Sequence, residues 1–503
     1  MTKKQGLLLG TILLLLSNIF VKGLGFFYRI VLVRILGAEG IGLVEMVTPL
    51  YTFLLVLGSW GIPLAMSQSI AVKGGKSRTL NIFKSGLILL FLTGFIITTA
   101  GWFMLPFFIE YFVPDERILL SLQIMLPAVF IISIASAYRS YFQGTGQVST
   151  IGVSQSIEQT VRVVIGIFLA LQFVNLSLDK AVTSAAIATL LGETVGFIYL
   201  LICFRKQQPL LSAGSFKPQI ASKLVRFGTP VTLNRLALSL MMMLQAFLIP
   251  WALQTAGYDV RAATEIYGRF AGVAMTLLHL PGVFTAALSV SVIPAVAGSI
   301  RNKKLLAHRS TNALQATMIF SLPGMLILFL FADILCSRLF NSPLAAEPLR
   351  ILCIGGTFFY LQTTLTSILQ GMGKVRQLLI NAILTAICLL TGIIALTTQP
   401  HMGINGAAIA VNIAAVFGFF LNLICFWQCS KVKLPVLNIF IKPLISIAIT
   451  AALYHFLNLG ALAQEKMALA AIIPVLLLIY LAFLALMRGL SIGLWQRMIQ
   501  RFK

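Results

Sequence analysis

The chain has 503 residues and a formal net charge of +24, with 59% hydrophobic and only 10% charged residues and a mean hydropathy of +0.98. Because a soluble domain has about 25% charged residues, this composition excludes a soluble globular protein. The apolar runs are continuous and as long as helices, which excludes the alternating strands of a membrane β-barrel. We therefore expect an all-α polytopic membrane protein.

Fourteen apolar runs are each about long enough to cross a bilayer, which takes roughly 20 residues. We number them spans 1 to 14; they cover 6–36, 41–71, 82–111, 118–142, 150–174, 181–204, 224–252, 265–296, 312–335, 349–370, 378–398, 404–428, 436–458 and 468–487. The six cysteines lie in or beside these runs without the spacing of a metal site.

The loops between the spans alternate in charge. Those around 73–84, 205–226 and 301–309 are rich in Lys and Arg, whereas opposite loops contain acids such as Asp115. By the positive-inside rule we expect a multi-pass protein of the cytoplasmic membrane with both termini in the cytoplasm. This topology accounts for most of the net charge, and no basic stripe interleaved with aromatic residues indicates a nucleic-acid partner.

Two halves of the chain resemble each other. The segment LICF recurs at 201–204 and 423–426, an offset of 222, and QGTG at 143–146 recurs as QGMG at 370–373, an offset of 227. Each half contains six spans, an even number, so both halves enter the membrane from the same side and the repeats are parallel. Transporters with internal repeats bind their substrate near the interface between them.

The duplication predicts the domain organisation. An N-terminal six-helix lobe covers 1–204, a cytoplasmic linker 205–223 and a C-terminal six-helix lobe 224–428. Spans 13 and 14 follow outside the duplication at 429–487. The last segment, 488–503, is basic and amphipathic, and we expect it to lie on the inner membrane surface as a cytoplasmic tail.

Span 1 carries cations well inside its ends. Lys22 and Arg29 are almost two helical turns apart, so they share a face on which Asn18 lies one turn earlier. A charge in hydrocarbon costs at least ~2.5–3.5 kcal/mol, so such residues normally face a partner or a wet cavity. Two interpretations remain open: the cations are neutralised or snorkel and only support folding, or they line an aqueous cavity for an anionic substrate.

Other spans also contain ionisable side chains. Glu45 follows a short turn after span 1 and is placed to pair with its cations, whereas Arg235 in span 7 has no acid nearby in the sequence. Acids and bases four residues apart form ion pairs within one helix. The candidate charge partners or gating residues are Asn18, Glu45, Glu158 with Arg162 in span 5, and Glu265 in span 8, which can pair with Arg269. Span 6 also contains an acid, Glu193.

Prolines interrupt the helical hydrogen-bond ladder, and in a membrane the interruption needs protein or water to satisfy the backbone. Pro49 and Pro63 in span 2 and Pro281 in span 8 are therefore hinge candidates, although many prolines in membrane helices have no such role. The motifs of nucleotide hydrolysis, zinc proteases and serine hydrolases are absent, so we expect no enzyme and no metal or other resident cofactor.

Three segments carry a resemblance to a known family: YRIVLVRILGAEGIGLVEMVTPLY at 28–51, GIPLAMSQSIA at 61–71 and YGRFAGVAMTLLHLPGVFTAALSVSVIPA at 267–295. With fourteen spans in two six-helix repeats, the chain resembles the polysaccharide transporters and lipid II flippases of the multidrug/oligosaccharidyl-lipid/polysaccharide exporter superfamily. The resemblance covers essentially the whole chain.

The resemblance implies a V-shaped pair of lobes around a central cationic cavity, with spans 13 and 14 appended. It also implies functional arginines in spans 1 and 8, which here are Arg29, Arg34 and Arg269. Together with Lys22 and Arg235, these are the predicted substrate-binding residues. The substrate would be a lipid-linked oligosaccharide pyrophosphate such as a peptidoglycan precursor, including one for the spore cortex.

Export would proceed by alternating access from the inner to the outer leaflet, driven by the membrane potential or by coupled Na⁺ or H⁺. Expected partners are the lipid-linked sugar, membrane lipids and cell-wall synthesis enzymes. Two alternatives remain open: a cation-coupled multidrug antiporter of the same superfamily, which would be expected to use unpaired acids, and a non-transporting membrane enzyme or scaffold in envelope assembly.

Overall fold

The structure of the protein is a computed structural model that describes residues 3–72, 75–207, 214–432, 434–457 and 466–487. Within these ranges every regular element is a helix, which confirms the all-α class. The α-helices are α1 (Lys3–Ser59), α2 (Ile62–Ala71), α3 (Lys76–Phe112), α4 (Leu119–Gly144), α5 (Val148–Phe173), α6 (Leu178–Gln207), α7 (Pro218–Thr255), α8 (Val260–Tyr267), α9 (Met275–Leu278), α10 (Gly282–Ala297), α11 (Lys303–Leu330), α12 (Ala332–Phe340), α13 (Ala346–Gly371), α14 (Val375–Thr397), α15 (Gly403–Ser430), α16 (Lys442–Phe456) and α17 (Lys466–Leu486).

Ten helices in the described part of the chain are long and apolar enough to cross a membrane. They are α3 to α7, α11, α13 to α15, and α16 with the short π-helix Leu437–Ile441 that precedes it. The predicted total of fourteen spans is not confirmed. Spans 1 and 2 lie in α1 and α2, and span 8 is divided among α8, a π-helix, α9 and α10.

The 57 residues of α1 would extend about 85 Å at 1.5 Å per residue, far beyond the ~30 Å hydrocarbon core. Gly37 interrupts the helix with φ 70° and ψ −178°, a conformation that glycine adopts far more readily than other residues. Arg29 and Glu45 form an ion pair across this break, although sixteen residues would separate them by about 24 Å in a straight helix. The segments 3–36 and 38–59 therefore form a hairpin, which we call the α1 hairpin.

Span 2 breaks again between α1 and α2, where Trp60 and Gly61 both have positive φ. A Cβ at Gly61 would lie 2.5 Å from the carbonyl oxygen of Gly228 in α7, so only glycine permits this close crossing. The Trp60 Nε1 donates a hydrogen bond of 3.3 Å to Thr229 Oγ1 on the same helix. These contacts attach the start of α7 to the first two spans.

The chain divides into two compact units. Unit 1 comprises Met1–Gln254 and Tyr258–Gly268, and unit 2 comprises Thr255–Gly257 and Arg269–Lys503. This division comes later in the chain than the lobe boundary predicted at 205–223. In unit 1, α8 packs against α1, and α7 contacts Trp60 and Gly61 between α1 and α2. The lobe boundaries drawn from the duplication remain a prediction about the repeat.

Hydrogen bonds to α3 hold the end of the predicted linker. Lys84 Nζ donates to the carbonyl oxygen of Gly214 at 2.8 Å, and the amide of Ser215 donates to Asn81 Oδ1 at 2.7 Å. The start of α3 therefore holds the chain just before α7 begins. The predicted tail 488–503 lies outside the described residues, as do 208–213 of the linker.

Close helix crossings in unit 1 agree with alternating passage through a membrane. Ser17 lies against Gly152 and Tyr28 against Gly166, so the first segment of α1 and α5 run in the same direction. Spans 1 and 5 are both odd-numbered, and alternation requires them to be parallel. Both crossings depend on glycine, since a Cβ at Gly166 would lie 2.1 Å from the Tyr28 hydroxyl oxygen.

Each unit has its own apolar core. In unit 1 the rings of Phe83 and Phe204 stack at 4.6 Å between centroids, and Tyr138 and Tyr141 contact both rings edge-on, which joins α3, α4 and α6. In unit 2 buried aliphatic side chains of α10, α11 and α13 pack with Phe419 and Phe426 of α15. These cores fix the helices that carry the polar groups described next.

Candidate functional site

The α1 hairpin brings the cation Arg29 into contact with an acid. Arg29 Nη2 and Glu45 Oε1 form an ion pair, and the two side chains are 22% and 19% exposed. The pair was expected from the short turn between spans 1 and 2. Both side chains are only partly accessible.

The helix α8 holds the turn of the hairpin. A Cβ at Gly42 would lie 2.1 Å from the carbonyl oxygen of Thr264, and one at Gly268 would lie 1.8 Å from that of Ala38. Two glycines thus let the backbones touch, and any larger residue would separate them. Tyr267 is buried beside this crossing and lies within electrostatic range of Glu45 and Arg29.

Asp115 and Arg117 secure the same region from the loop before α4. Arg117 forms ion pairs with Glu39 at 2.6 Å and with Asp115 at 2.7 Å, and its Nε also donates to Asp115. The buried Asp115 accepts a hydrogen bond of 2.8 Å from Thr264 Oγ1 of α8. We call these residues the loop clamp; they tie the α1 turn, the loop and α8 together.

A second ionic arrangement lies among α4, α5 and α6. Each of two arginines contacts both of two glutamates, and we call the four residues the charge ring. The distances are 2.9 Å for Arg139–Glu158, 3.2 Å for Arg139–Glu193, 2.8 Å for Arg162–Glu158 and 3.0 Å for Arg162–Glu193. Two positive and two negative side chains give the ring no net charge. It can therefore join α4, α5 and α6 without placing an unbalanced charge among apolar helices.

Close packing of α5 on α6 positions the charge ring. A Cβ at Gly192 would lie 2.8 Å from the Glu158 carbonyl oxygen, and Ser154 Oγ donates to the carbonyl oxygen of Gly196 at 3.0 Å. The Nε atoms of Arg139 and Arg162 and the Tyr51 hydroxyl are buried and have no hydrogen-bond partner in the described chain. Such groups are positions where ordered water or an ion is normally bound.

The sequence analysis did not identify Arg139, the residue that completes the ring. Its partners come from spans 5 and 6, so no local spacing reveals the pair. The available signal was Glu193, an acid in an apolar span that required a cation from another helix. Arg117 was missed for the same reason, because Glu39 lies far from it in the sequence.

The remaining predicted site residues differ in exposure. Asn18, Lys22 and Arg34 are exposed on the first segment of α1, and Arg235 is exposed on α7. Glu265 on α8 and Arg269 at the start of unit 2 are half-buried, and both interact with other residues. Their role in substrate binding remains a prediction.

The three hinge candidates have different settings. Pro49 lies inside the second segment of α1, whereas Pro63 is in the first turn of α2, directly after the break at Gly61. Pro281 lies in the break between α9 and α10, which follows the π-helix Gly268–Ala274. Two of the three prolines therefore coincide with helix breaks.

Unit 2 has a neutral polar network at the place that corresponds to the charge ring. Asn381 Nδ2 donates to Asn422 Oδ1 at 2.9 Å, and Asn422 Nδ2 donates to Thr366 Oγ1 at 3.0 Å. Thr385 Oγ1 donates to the backbone of Asn381 one turn earlier. We call Thr366, Asn381, Thr385 and Asn422 the amide network.

The repeat offsets relate the two arrangements. The offset of 227 equates Arg139 with Thr366 and Glu158 with Thr385, and the offset of 222 equates Gly196 with Gly418. A Cβ at Gly196 would contact Glu158, and one at Gly418 would contact Thr385, so both units repeat the same helix crossing.

Within the described residues no group of three His, Cys, Asp or Glu side chains is arranged to hold a metal ion. The six cysteines are unpaired as thiols, and burial raises the pKa of the Cys336 thiol on α12 to about 12. A thiol with such a high pKa is a poor nucleophile at neutral pH. The ionic groups in the spans are thus the chemically distinctive feature of the described chain.

The fold is similar to that of solved membrane transporters. "Lipid II flippase MurJ, inward closed conformation" superposes with a TM-score of 0.73 at 16% identity, covering 95% of this chain and 98% of that one. The inward-facing conformation of a multidrug resistance MATE family transporter of the MOP superfamily superposes with a TM-score of 0.70 at 18% identity, covering 82% and 96%. The protein is therefore a multi-pass membrane protein whose fold is similar to that of these solved transporters.

The chain belongs to the polysaccharide biosynthesis protein family, which it matches over residues 7–299, and residues 270–396 also match the MatE family. It is 28% identical to stage V sporulation protein B of Bacillus subtilis (strain 168) over 496 residues, covering 95% of this chain and 96% of that protein. It is 24% identical to the lipid II flippase MurJ of the same organism over 414 residues, covering 75% of each. These matches confirm the resemblance noted from the sequence.

Proposed function

We propose that the protein moves a lipid-linked oligosaccharide pyrophosphate, such as a peptidoglycan precursor, from the inner to the outer leaflet of the cytoplasmic membrane. The observation that carries this proposal is the partly exposed Arg29 inside span 1, held at a hairpin that α8 and the loop clamp keep in place. The likeness to stage V sporulation protein B and to a lipid II flippase supports a substrate used in cell-wall synthesis, including that of the spore cortex.

The chemistry of such a substrate suits the cations of unit 1. A pyrophosphate head is too polar to enter hydrocarbon, whereas its polyprenyl tail remains in the lipid. The planar guanidinium of Arg29 matches the geometry of phosphate oxygens, and Lys22 and Arg34 on the same helix would attract the anion. Arg235 and Arg269 complete the proposed substrate-binding set.

Transport would use alternating access, with Pro63 and Pro281 at the helix breaks as hinge positions. Moving an anion outward is favoured by an inside-negative membrane potential, by roughly 2.3 kcal/mol per charge per 100 mV. Both termini would lie in the cytoplasm, beside the basic loops. Enzymes that make or use the lipid-linked sugar are the expected protein partners.

A cation-coupled multidrug antiporter is the second candidate, because residues 270–396 match the MatE family and MATE transporters share the fold. Such a protein would need acids that are available to a cation. In unit 1 the span acids Glu45, Glu158 and Glu193 are instead paired with arginines. This pairing favours an anionic substrate.

The test uses the full-length protein in sealed proteoliposomes with a fluorescent lipid-linked sugar pyrophosphate in the inner or outer leaflet. We expect the lipid to change leaflets faster than in protein-free vesicles, while a cationic dye is not accumulated. A membrane enzyme or scaffold would leave the lipid in its original leaflet, and that result would overturn the proposal. Dye uptake without lipid movement would establish the antiporter instead.

A further inference from the structure

We propose that the charge ring and two tyrosines of the α1 hairpin form a binding site for ordered water, and that this water joins the hairpin to the ring by hydrogen bonds. The inference concerns the interior of unit 1 and does not depend on which substrate the protein moves. It assigns a ligand to buried polar atoms that have no hydrogen-bond partner among the helices.

Four such atoms lie around the charge ring. They are the Nε atoms of Arg139 and Arg162 and the hydroxyl groups of Tyr28 and Tyr51, and none has a hydrogen-bond partner in the described chain. Tyr28 and Tyr51 are 9% and 7% exposed, and they belong to the two different segments of the α1 hairpin. A buried polar group without a partner destabilises the fold, and in native proteins ordered water normally satisfies it.

Both tyrosines lie beside the ring. The Tyr28 hydroxyl lies against Gly166, one helical turn after Arg162 on α5. Tyr51 lies within electrostatic range of all four members of the ring. The α1 hairpin also packs against α4, α5 and α6, the three helices that carry the ring. The four atoms therefore belong to one polar region of unit 1.

The chemistry of this region selects a small neutral ligand that both donates and accepts hydrogen bonds. An arginine Nε–H group only donates, so the ligand must accept. Each carboxylate oxygen of Glu158 and Glu193 contacts a single arginine nitrogen in the ring. Such an oxygen has two lone pairs and accepts a further bond from the ligand.

The charge of the ring argues against an ion. Two arginines and two glutamates already balance, so a bare anion or cation would add an uncompensated charge to a region that is largely removed from solvent. Water is neutral and meets both hydrogen-bonding requirements. Buried water in proteins typically makes two to four hydrogen bonds, which the arginine, tyrosine and carboxylate groups supply.

Water also has a way to enter. The side chains of Arg139 and Arg162 are 22% and 23% exposed, although their Nε atoms are buried. The outer parts of the two guanidinium groups therefore reach accessible surface while the inner parts lie beside the tyrosines. A water bound between them accepts from an Nε–H group and donates to a tyrosine or carboxylate oxygen.

Unit 2 provides an internal comparison. In the described chain no side-chain atom of the amide network is buried without a partner. Asn422 bonds directly to both Asn381 and Thr366, so this crossing needs no bridging water. The proposed water site is thus a property of the charge ring and its tyrosines, and not of the repeated helix crossing.

The first test is a high-resolution density map of the full-length protein. We expect density for ordered water within hydrogen-bond distance of the Tyr51 hydroxyl oxygen and of at least one of the two arginine Nε atoms. Crystals in which bromide replaces chloride test the ionic alternative, because bromide has an anomalous signal. An anomalous peak at this place would assign the site to an anion and overturn the proposal. A map that shows water elsewhere but no density here would overturn it as well.

The second test compares two replacements that each remove only a hydroxyl group. Tyr51→Phe acts at the ring, whereas Tyr480→Phe acts on α17 in unit 2, at a buried hydroxyl that also has no partner in the described chain. In thermal unfolding in detergent we expect Tyr51→Phe to lower the midpoint by roughly 1–2 °C, because a hydrogen bond to bound water is lost. Tyr480→Phe should leave the midpoint unchanged or raise it. Equal shifts for the two variants would overturn the proposal, since the Tyr51 hydroxyl would then bind no more water than that of Tyr480.

Discussion

The charge ring in unit 1 and the amide network in unit 2 occupy corresponding crossings of the two repeats but use different chemistry. Four ionised side chains connect α4, α5 and α6, whereas neutral amides and hydroxyls connect α13, α14 and α15. Both arrangements satisfy polar groups among apolar helices. The comparison shows that the same helix crossing accommodates either solution.

A second difference concerns which charges are available for function. Each ring arginine contacts two glutamates, whereas Arg29 and Glu45 form a partly exposed pair in the α1 hairpin. We infer that the ring supports the fold of unit 1 and that the α1 hairpin handles the substrate. The predictions below separate these roles.

The largest expected effect follows from removing one acid of the ring. Glu193→Gln leaves two half-buried arginines with a single carboxylate, and breaking a buried ionic arrangement in this way typically costs about 3–5 kcal/mol. Unfolding in detergent should show this loss, while Glu110→Gln on the exposed face of α3 should change stability by less than about 0.5 kcal/mol. Equal stability of the two variants would contradict a structural role for the ring.

Replacing two ring residues by the threonines found in unit 2 should lower the free energy of unfolding by less than the sum of the two single replacements. The positions that correspond to Arg139 and Glu158 in unit 2 are both threonine, so the double variant Arg139→Thr/Glu158→Thr introduces the unit 2 residues. The remaining pair, Arg162 and Glu193, still has no net charge. In a double-mutant cycle we expect a favourable coupling of about 0.5–3 kcal/mol between the two sites. Strict additivity would mean that the two side chains do not interact.

The smallest effect is expected in the amide network. Asn422→Ala removes two hydrogen bonds between neutral groups, and we expect a loss of about 1–2 kcal/mol. Asn381→Ala removes one of the same bonds, so the two changes should not be additive. Unfolding curves of these variants are compared with that of Glu193→Gln. A larger loss of stability for Asn422→Ala than for Glu193→Gln would contradict the expectation that the charge ring contributes more than the amide network.

Local sequence signals predicted one part of this molecule well. The helical class followed from continuous apolar runs, and the partnership of Arg162 with Glu158 followed from their i,i+4 spacing. The pairing of Arg29 with Glu45 followed from the short turn at Gly37. In each case the interacting groups lie on one helix or on two segments joined by a tight turn.

Contacts between distant segments were not predictable in the same way. Arg139 pairs with acids on α5 and α6, and Arg117 pairs with Glu39 on α1 as well as with its neighbour Asp115. No periodicity in the sequence links the residues of different helices. The attachment of α7 to unit 1 depends on the backbone approach of Gly61 to Gly228, which requires the helices to be already positioned. The lobes drawn from the duplication remain a prediction about the repeat.

The central claim is that Arg29, rather than the charge ring, handles the substrate. The most direct measurement is the rate of leaflet exchange of a fluorescent lipid-linked sugar pyrophosphate in proteoliposomes that contain equal amounts of folded protein. We predict that Arg29→Ala slows exchange at least about tenfold, as expected for loss of a charge-assisted contact. Two variants should stay within about threefold of the unaltered protein: Arg139→Thr/Glu158→Thr, and Arg350→Ala, which removes an exposed ion pair between Arg350 of α13 and Asp333 of α12. Exchange by Arg29→Ala at the unaltered rate would contradict the account.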